Sequence, residues 1–218
     1  MEEGGPWDII VVGAGSAGSA LAARLTEDPA LKVLLLEAGA ASHPYSSIPM
    51  SFAFLMNHPT ANWRYKSVPE EGTANREIPV PRGRLVGGSS AINGLVYVRG
   101  QPIDYDTWAQ FGNRGWSYED VLPVFRRMEN YEHGADDWRT RGGPLHVCES
   151  YDQSPLYDAL QAAGDTLGIP RNRDYNGAGQ EGIVRTQTTI RDGRRTSAAV
   201  AYLKPARGRP NLRIVPDA

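Results

Sequence analysis

The first forty residues constrain this chain more than any other stretch. Asp8-Ile9-Ile10-Val11-Val12 is a short apolar run, followed at once by Gly13-Ala14-Gly15-Ser16-Ala17-Gly18. Small residues suited to a helix fill positions 19–25, and a second apolar run, Lys32-Val33-Leu34-Leu35-Leu36, ends on Glu37-Ala38-Gly39. Strand, glycine turn, helix, strand and acidic residue is the order of a dinucleotide-binding βαβ unit. Gly13 permits a tight turn off the strand, Gly15 lets the backbone approach a pyrophosphate, and Gly18 lets the helix pack closely. The amides near Ser16 and Ala17 open the helix toward phosphate. Glu37 stands near the spacing of about 20 residues at which a carboxylate takes up a ribose diol, and its charge disfavours a 2′-phosphate. A glycine turn alone also serves an ordinary strand–helix connection. With the flanking elements and Glu37 in register, an adenine dinucleotide site is favoured, for NAD or FAD.

Size and composition narrow the setting. At 218 residues the chain has room for one to one and a half domains of about 150 residues each. A hydrophobic content of 40% and a charged content of 22% are those of a soluble globular protein. A net charge of −2 gives no electrostatic reason to expect nucleic acid or an anionic membrane as partner. One cysteine, Cys148, excludes an internal disulfide, offers no metal-ligand spacing and fits a reducing compartment. The acidic start Met1-Glu2-Glu3 is no signal-peptide n-region, and residues 9–25 are too short and glycine-rich for a membrane span. A cytoplasmic location is expected.

Past Gly39 the pattern loses its period. Pro44, Pro49, Pro59, Pro69 and Pro79 mark an extended excursion with little regular structure over residues 40–80. Within it, Trp63 either covers a ligand or pins the loop, and Tyr65 is expected to pin the loop to the core. A second glycine-rich stretch follows, running from Pro81-Arg82-Gly83-Arg84 through Gly87-Gly88-Ser89-Ser90 to Asn93-Gly94-Leu95-Val96. Gly87-Gly88 allows close backbone approach, as a second ligand loop or a structural turn, and Ser89 or Ser90 can cap a helical turn. Arg82 and Arg84 offer charge to a diphosphate or sit in solvent.

Further on, Asp104 or Asp106 is expected to cap one helix and Ser117 another, with Pro123 delaying or kinking the latter. Residues 131–141, being polar and charged, read as an exposed loop. Leu145-His146-Val147-Cys148 reads as a strand. Ser154-Pro155 starts a helix with Leu156, Leu160, Ala163 and Leu167 on one face, ended by Gly168 and Pro170. Residues 183–190 alternate like a half-buried strand, and residues 211–215 read as a final strand.

Several of these motifs, in this order, resemble the glucose–methanol–choline (GMC) flavoprotein oxidoreductases. They are the GxGxxG start ending in Glu37-Ala38-Gly39, the Asn62-Trp63-Arg64-Tyr65 loop, the stretch 82–100, Asp104 to Trp108, Gly142-Gly143-Pro144-Leu145, and Gly193-Arg194-Arg195-Thr196-Ser197. The likeness runs through nearly the whole chain and is strongest to choline and alcohol dehydrogenases. It implies an α/β fold: a Rossmann-like FAD-binding domain (1–144), the start of an antiparallel-sheet substrate domain (145–208), and a strand returning to the FAD domain (209–218). It also implies FAD rather than NAD. Gly13, Gly15, Ser16, Ala17, Gly18, Glu37 and Ala38 would hold the ADP half, with Trp63 nearby. Arg82, Gly87, Gly88, Asn93, Gly94, Leu95 and Val96 would lie along the pyrophosphate and isoalloxazine. Ile92 stands where some members carry a flavin-tethering histidine, so non-covalent FAD is expected. Thr140-Arg141 departs from the His-Gly that related chains place there.

The resemblance implies oxidation of a small-molecule alcohol, with a histidine base taking the hydroxyl proton while hydride passes to flavin N5. In the family that histidine lies far toward the C-terminus, and His43, His58, His133 and His146 match none of its positions. These residues are therefore expected to be one piece of a larger protein, with a C-terminal portion present as a second chain. Rival readings are a GMC-fold hydroxynitrile lyase or fatty-acid photodecarboxylase, a non-catalytic flavin-binding module, and, last, an NAD-dependent dehydrogenase.

Overall fold

A computed structural model describes residues 5–150 and 154–218; the acidic Met1-Glu2-Glu3 start lies outside the described residues. The strands are β1 (Ile9–Val12), β2 (Val33–Leu36), β3 (Tyr65–Lys66), β4 (Pro79–Val80), β5 (Glu129–Tyr131), β6 (Leu145–Glu149), β7 (Gln187–Thr188), β8 (Ile190–Arg191), β9 (Arg194–Arg195) and β10 (Leu212–Val215). The α-helices are α1 (Ser16–Leu25), α2 (Phe52–Leu55), α3 (Pro102–Gln110), α4 (Tyr118–Met128), α5 (Pro155–Thr166) and α6 (Lys204–Ala206). They form two compact units, the first from residues 1–95 and 190–218, the second from residues 96–189. The expected domain boundary at 144/145 falls between β5 and β6, which pair with each other, and coincides with no limit of either unit.

In the first unit β1, β2 and β10 make a parallel sheet in the order β1-β2-β10, so the last strand does return to the first two. Val11, Ala14, Ala22, Val33, Leu35 and Leu203 form its buried core. Ala14 and Ala22 are small enough to seat α1 against the sheet, where area removed from water is stabilising at about 25 cal/mol per Å². Ile10 and Val12, on the opposite face of β1, are exposed. The excursion after Gly39 is held by a separate cluster of Leu55, Ala61, Leu85, Ala91 and Ile92. It is more ordered than its prolines suggest, with a 3₁₀ turn at Pro49–Ser51, α2 and the β3/β4 ribbon.

The second unit is built on the sheet β5-β6-β7, parallel between β5 and β6 and antiparallel between β6 and β7. Three expectations are corrected here, in whole or in part. Asp104 is not the N-cap residue of α3, which is Gln101, but the third-position half of its capping box, accepting from the Gln101 amide at 2.7 Å. Asp106 Oδ1 instead accepts from the Tyr118 amide at 2.9 Å, joining α3 to the start of α4. Ser117 does cap α4, and the helix runs through Pro123 without a delayed start. Residues 131–141 are a loop only partly exposed: His133, Ala135, Asp136, Asp137 and Arg141 face solvent. Tyr131 is buried and Arg139 is only 1% exposed, because carboxylates from elsewhere meet its charge, as a buried cation requires.

Residues 183–190 form only fragments of strand. Gln187, a polar member of the alternation, is fully buried, and its amide donates to Tyr175 Oη at 2.7 Å. Helix α5 starts at Ser154-Pro155, and Gly168 adopts φ +71° at its end as foreseen. Its apolar face is nevertheless open, with Leu156 78% and Leu167 75% exposed. No described helix is long and apolar enough to cross a membrane.

Candidate functional site

The first unit carries a cleft of about 540 Å³ between its two glycine segments. Gly13 leaves β1 at φ +92°, a backbone state that L side chains resist. Gly18 has no room for a side chain: a Cβ there would stand 1.9 Å from the Gly13 carbonyl oxygen, so α1 packs directly on the turn. Gly15 caps α1 without a side-chain hydrogen bond, and the first helical turn carries no acidic residue. The amides of exposed Ser16 and Ala17 are therefore open at the positive end of a helix dipole.

The second glycine segment docks on this turn. The Gly87 amide donates to the Ala14 carbonyl at 2.7 Å. A Cβ on Gly88 would lie 2.6 Å from the Gly15 Cα, and Gly88 sits at φ +53°. Neither serine caps the 3₁₀ turn Gly88–Ala91, contrary to expectation. Ser89 Oγ accepts from the Gly83 amide at 3.1 Å, and Ser90 Oγ from the Ala198 amide at 2.9 Å, which ties the loop to both neighbouring segments.

Glu37 closes one end of the cleft. Its carboxylate is buried, taking the Ala14 amide at 2.8 Å on Oε2 and the Gly39 amide at 2.9 Å on Oε1. Each oxygen keeps a lone pair for a further donor such as a ribose hydroxyl. Opposite, buried Asn62 holds the aromatic loop, its Oδ1 accepting the amides of Arg64 at 2.8 Å and Arg82 at 2.9 Å. Trp63 and Tyr65 stack at 5.9 Å, with the Arg84 guanidinium 5.0 Å above the Trp63 ring. Tyr65 therefore lines the cleft, half-exposed, and does not pin the loop to the core.

Of the residues expected from sequence, Gly13, Gly15, Ser16, Glu37, Ala38, Trp63, Arg82 and Gly88 line the cleft. Ala17, Gly18 and Gly87 stand just behind it, through α1 and the glycine–glycine contact. Asn93 and Gly94 are exposed beyond the 3₁₀ turn, buried Leu95 ends the first unit, and Val96 begins the second. Val12, Leu36, Tyr65, Gly83, Ser89 and Ala218 were missed as lining residues. Gly83 and Ser89 had a signal: both lie within glycine-rich stretches already singled out.

The donor set fits a dinucleotide. Helix-end amides suit an anion and the carboxylate suits a diol, aromatic rings flank one side, and the two glycine segments pack backbone to backbone, a Cβ on Gly88 being blocked by Gly15. None of the four histidines lines the cleft. His43 and His58 stack on each other at 4.5 Å in the excursion, and burial followed by the charge of His58 lowers the His43 pKa.

A Rossmann-type α/β unit with such a cleft defines a class, nucleotide-cofactor binders. The match to known proteins is more specific. The family model for GMC oxidoreductases matches residues 7–218, and the chain belongs to that family. Oxygen-dependent choline dehydrogenases of Brucella ovis and Sinorhizobium fredii are 47% and 48% identical to it over 209 residues, 95% of this chain. The chain spans 38% of the length of these curated relatives. Among solved structures, pyridoxine 4-oxidase from Mesorbium loti superposes with a TM-score of 0.91 at 42% identity, covering 97% of this chain and 42% of that one. An Aspergillus oryzae formate oxidase, described for its FAD modification, gives a TM-score of 0.86 at 28% identity, covering 100% and 39%.

Proposed function

We propose that this chain supplies most of the FAD site of an enzyme that oxidises a small-molecule alcohol. One observation carries the reading. The Gly13–Gly18 turn and the Gly87–Gly88 loop, far apart in sequence, meet through the Gly87–Ala14 hydrogen bond of 2.7 Å and enclose a single cleft. The amides at Gly15, Ser16 and Ala17 take the diphosphate, Glu37 takes the adenosine ribose, and Trp63 with Tyr65 covers the adenine side. Gly88, Ser89 and Asn93 face the flavin end, and Arg82 adds charge at the rim. Ile92 packs into the apolar cluster with Leu55 and Leu85, which supports a non-covalent cofactor. FAD, when bound, would supply the hydride acceptor for the alcohol carbon, and the residues here would bind it, orient it and screen it from water. The base that takes the hydroxyl proton comes from outside these 218 residues, in a C-terminal portion, since no histidine lines the cleft and curated relatives are much longer.

The visible spectrum of the purified protein tests this, followed by its decay under anaerobic conditions with a panel of alcohols led by choline. A yellow protein that bleaches supports the reading, and a colourless one sinks it. A yellow protein that no alcohol bleaches favours the second reading, a flavin-holding or non-redox member, which a cleft lining without a histidine among the described residues also motivates.

A further inference from the structure

Arg195 is a buried cation with no carboxylate partner among the described residues. It is 3% exposed, and its guanidinium is met only by neutral oxygens. Nε donates to the Ser46 carbonyl at 2.9 Å, and Nη1 donates to the Ser90 carbonyl at 3.2 Å and to Asn93 Oδ1 at 2.7 Å. Nη2 has no partner. An unpaired charge in such a place is costly unless it serves a purpose. Asn93 is exposed, and its Oδ1 also accepts from the Leu95 amide at 3.1 Å. Both partners of that oxygen are obligate donors, so the oxygen and not the nitrogen of the amide must face them. The NH₂ group of Asn93 is thereby turned outward, with no partner among the described residues. Leu95 stands at φ +66°, a strained state for a leucine, and the same Asn93 oxygen fixes it.

We propose that Arg195 is a positioning residue for the flavin end of the site: by holding Asn93 Oδ1 it presents the Asn93 NH₂ as a fixed hydrogen-bond donor to an electron-rich edge of the bound ring. Burial, which pulls the Arg195 pKa down to about 10, leaves it charged at neutral pH and beside the double-glycine loop. This rests on the FAD reading above.

The test compares full-length native protein with Asn93→Asp, Arg195→Met and Arg195→Lys, reading FAD affinity by fluorescence titration of the apoprotein, the flavin absorption bands, the flavin midpoint potential and the melting temperature. Asn93→Asp keeps an oxygen for Arg195 and Leu95 but has no NH₂. It is expected to weaken FAD binding about tenfold, the worth of one hydrogen bond, and to lower the potential without lowering the melting temperature. Arg195→Met moves affinity and potential the same way, and Arg195→Lys restores part of both. Asn93→Asp with parental affinity, bands and potential overturns the proposal, even if Arg195→Met fails to fold. A merely structural Arg195 would change the melting temperature alone, which also overturns it. Failure of the FAD reading shows in the parent instead, as a protein that takes up no flavin.

Discussion

The two units bury polar groups in opposite ways. In the cleft unit, the Glu37 carboxylate is held by backbone amides, the Arg195 guanidinium by carbonyl and amide oxygens, and the glycine segments touch backbone to backbone. In the second unit, charge meets charge. Glu129 is fully buried between Arg139 Nε at 3.0 Å and Arg99 Nη2 at 2.8 Å, while Arg139 Nη1 reaches Asp174 at 2.7 Å and Gln187 at 3.0 Å. The Arg139 guanidinium also lies 3.7 Å over the Tyr131 ring. Burial alone would pull the Arg139 pKa down, but Glu129 and Asp174 outweigh it and hold it above its ordinary value. The second unit pairs its buried charges with one another, although Arg99 Nε and Arg139 Nη2 find no hydrogen-bond partner among the described residues. The first sets its buried charges against uncharged groups and lines its cleft with two glycine segments.

The contrast can be broken most sharply at Glu129. Glu129→Gln leaves two buried arginines with no carboxylate between them and is expected to cost about 3–5 kcal/mol in urea unfolding. FAD affinity should hardly change, because the cleft uses none of these groups. A parallel collapse of affinity would show that the units do not separate structure from binding. Gly88→Ala is the converse. Its Cβ would meet the Gly15 Cα at 2.6 Å, and overpacking there should weaken FAD binding about 10- to 100-fold in titrations. Gly72→Ala, where nothing lies within 4 Å of the new carbon, is the control.

The cleft was largely legible in the sequence because its determinants are local. A strand, a glycine at positive φ, a helix and an acidic residue all fall within thirty or so positions, where period and spacing carry the information. Even the final strand could be read, though not its pairing with β2. The buried charge network of the second unit was opaque for the same reason. Arg139 looks like a solvated charge until one knows that its partners lie 10, 35 and 48 residues away. Tyr65 was misread because an aromatic in a proline-rich loop gives no sign of which face of the loop it will take. In α5 the periodicity located the helix, yet period says nothing about what, if anything, covers a face.

The smallest effect sharpens the comparison through pH. Burial, opposed mainly by Arg99, pushes the Tyr97 hydroxyl from 10.0 up to about 12, and it also raises Tyr131 and Tyr175. The fold thus favours the neutral phenols. Their contribution is complete below pH 10 and is lost as pH climbs through the folded-state values, with Tyr97 alone worth on the order of 3 kcal/mol between pH 10.0 and about 12. Arg195 has the opposite sign: its cation is disfavoured in the fold, so the penalty is full below pH 10 and lifts as pH rises toward 12.5. Over the same window the second unit should weaken while the first is relieved. Urea midpoints across that range, with brief proteolysis and mass spectrometry to show which segments open, should find residues 96–189 exposed first. Tyr97→Phe, which has no proton to lose, should flatten the decline. If the variant declines as steeply as its parent, the buried phenol is not what ties the second unit's stability to pH.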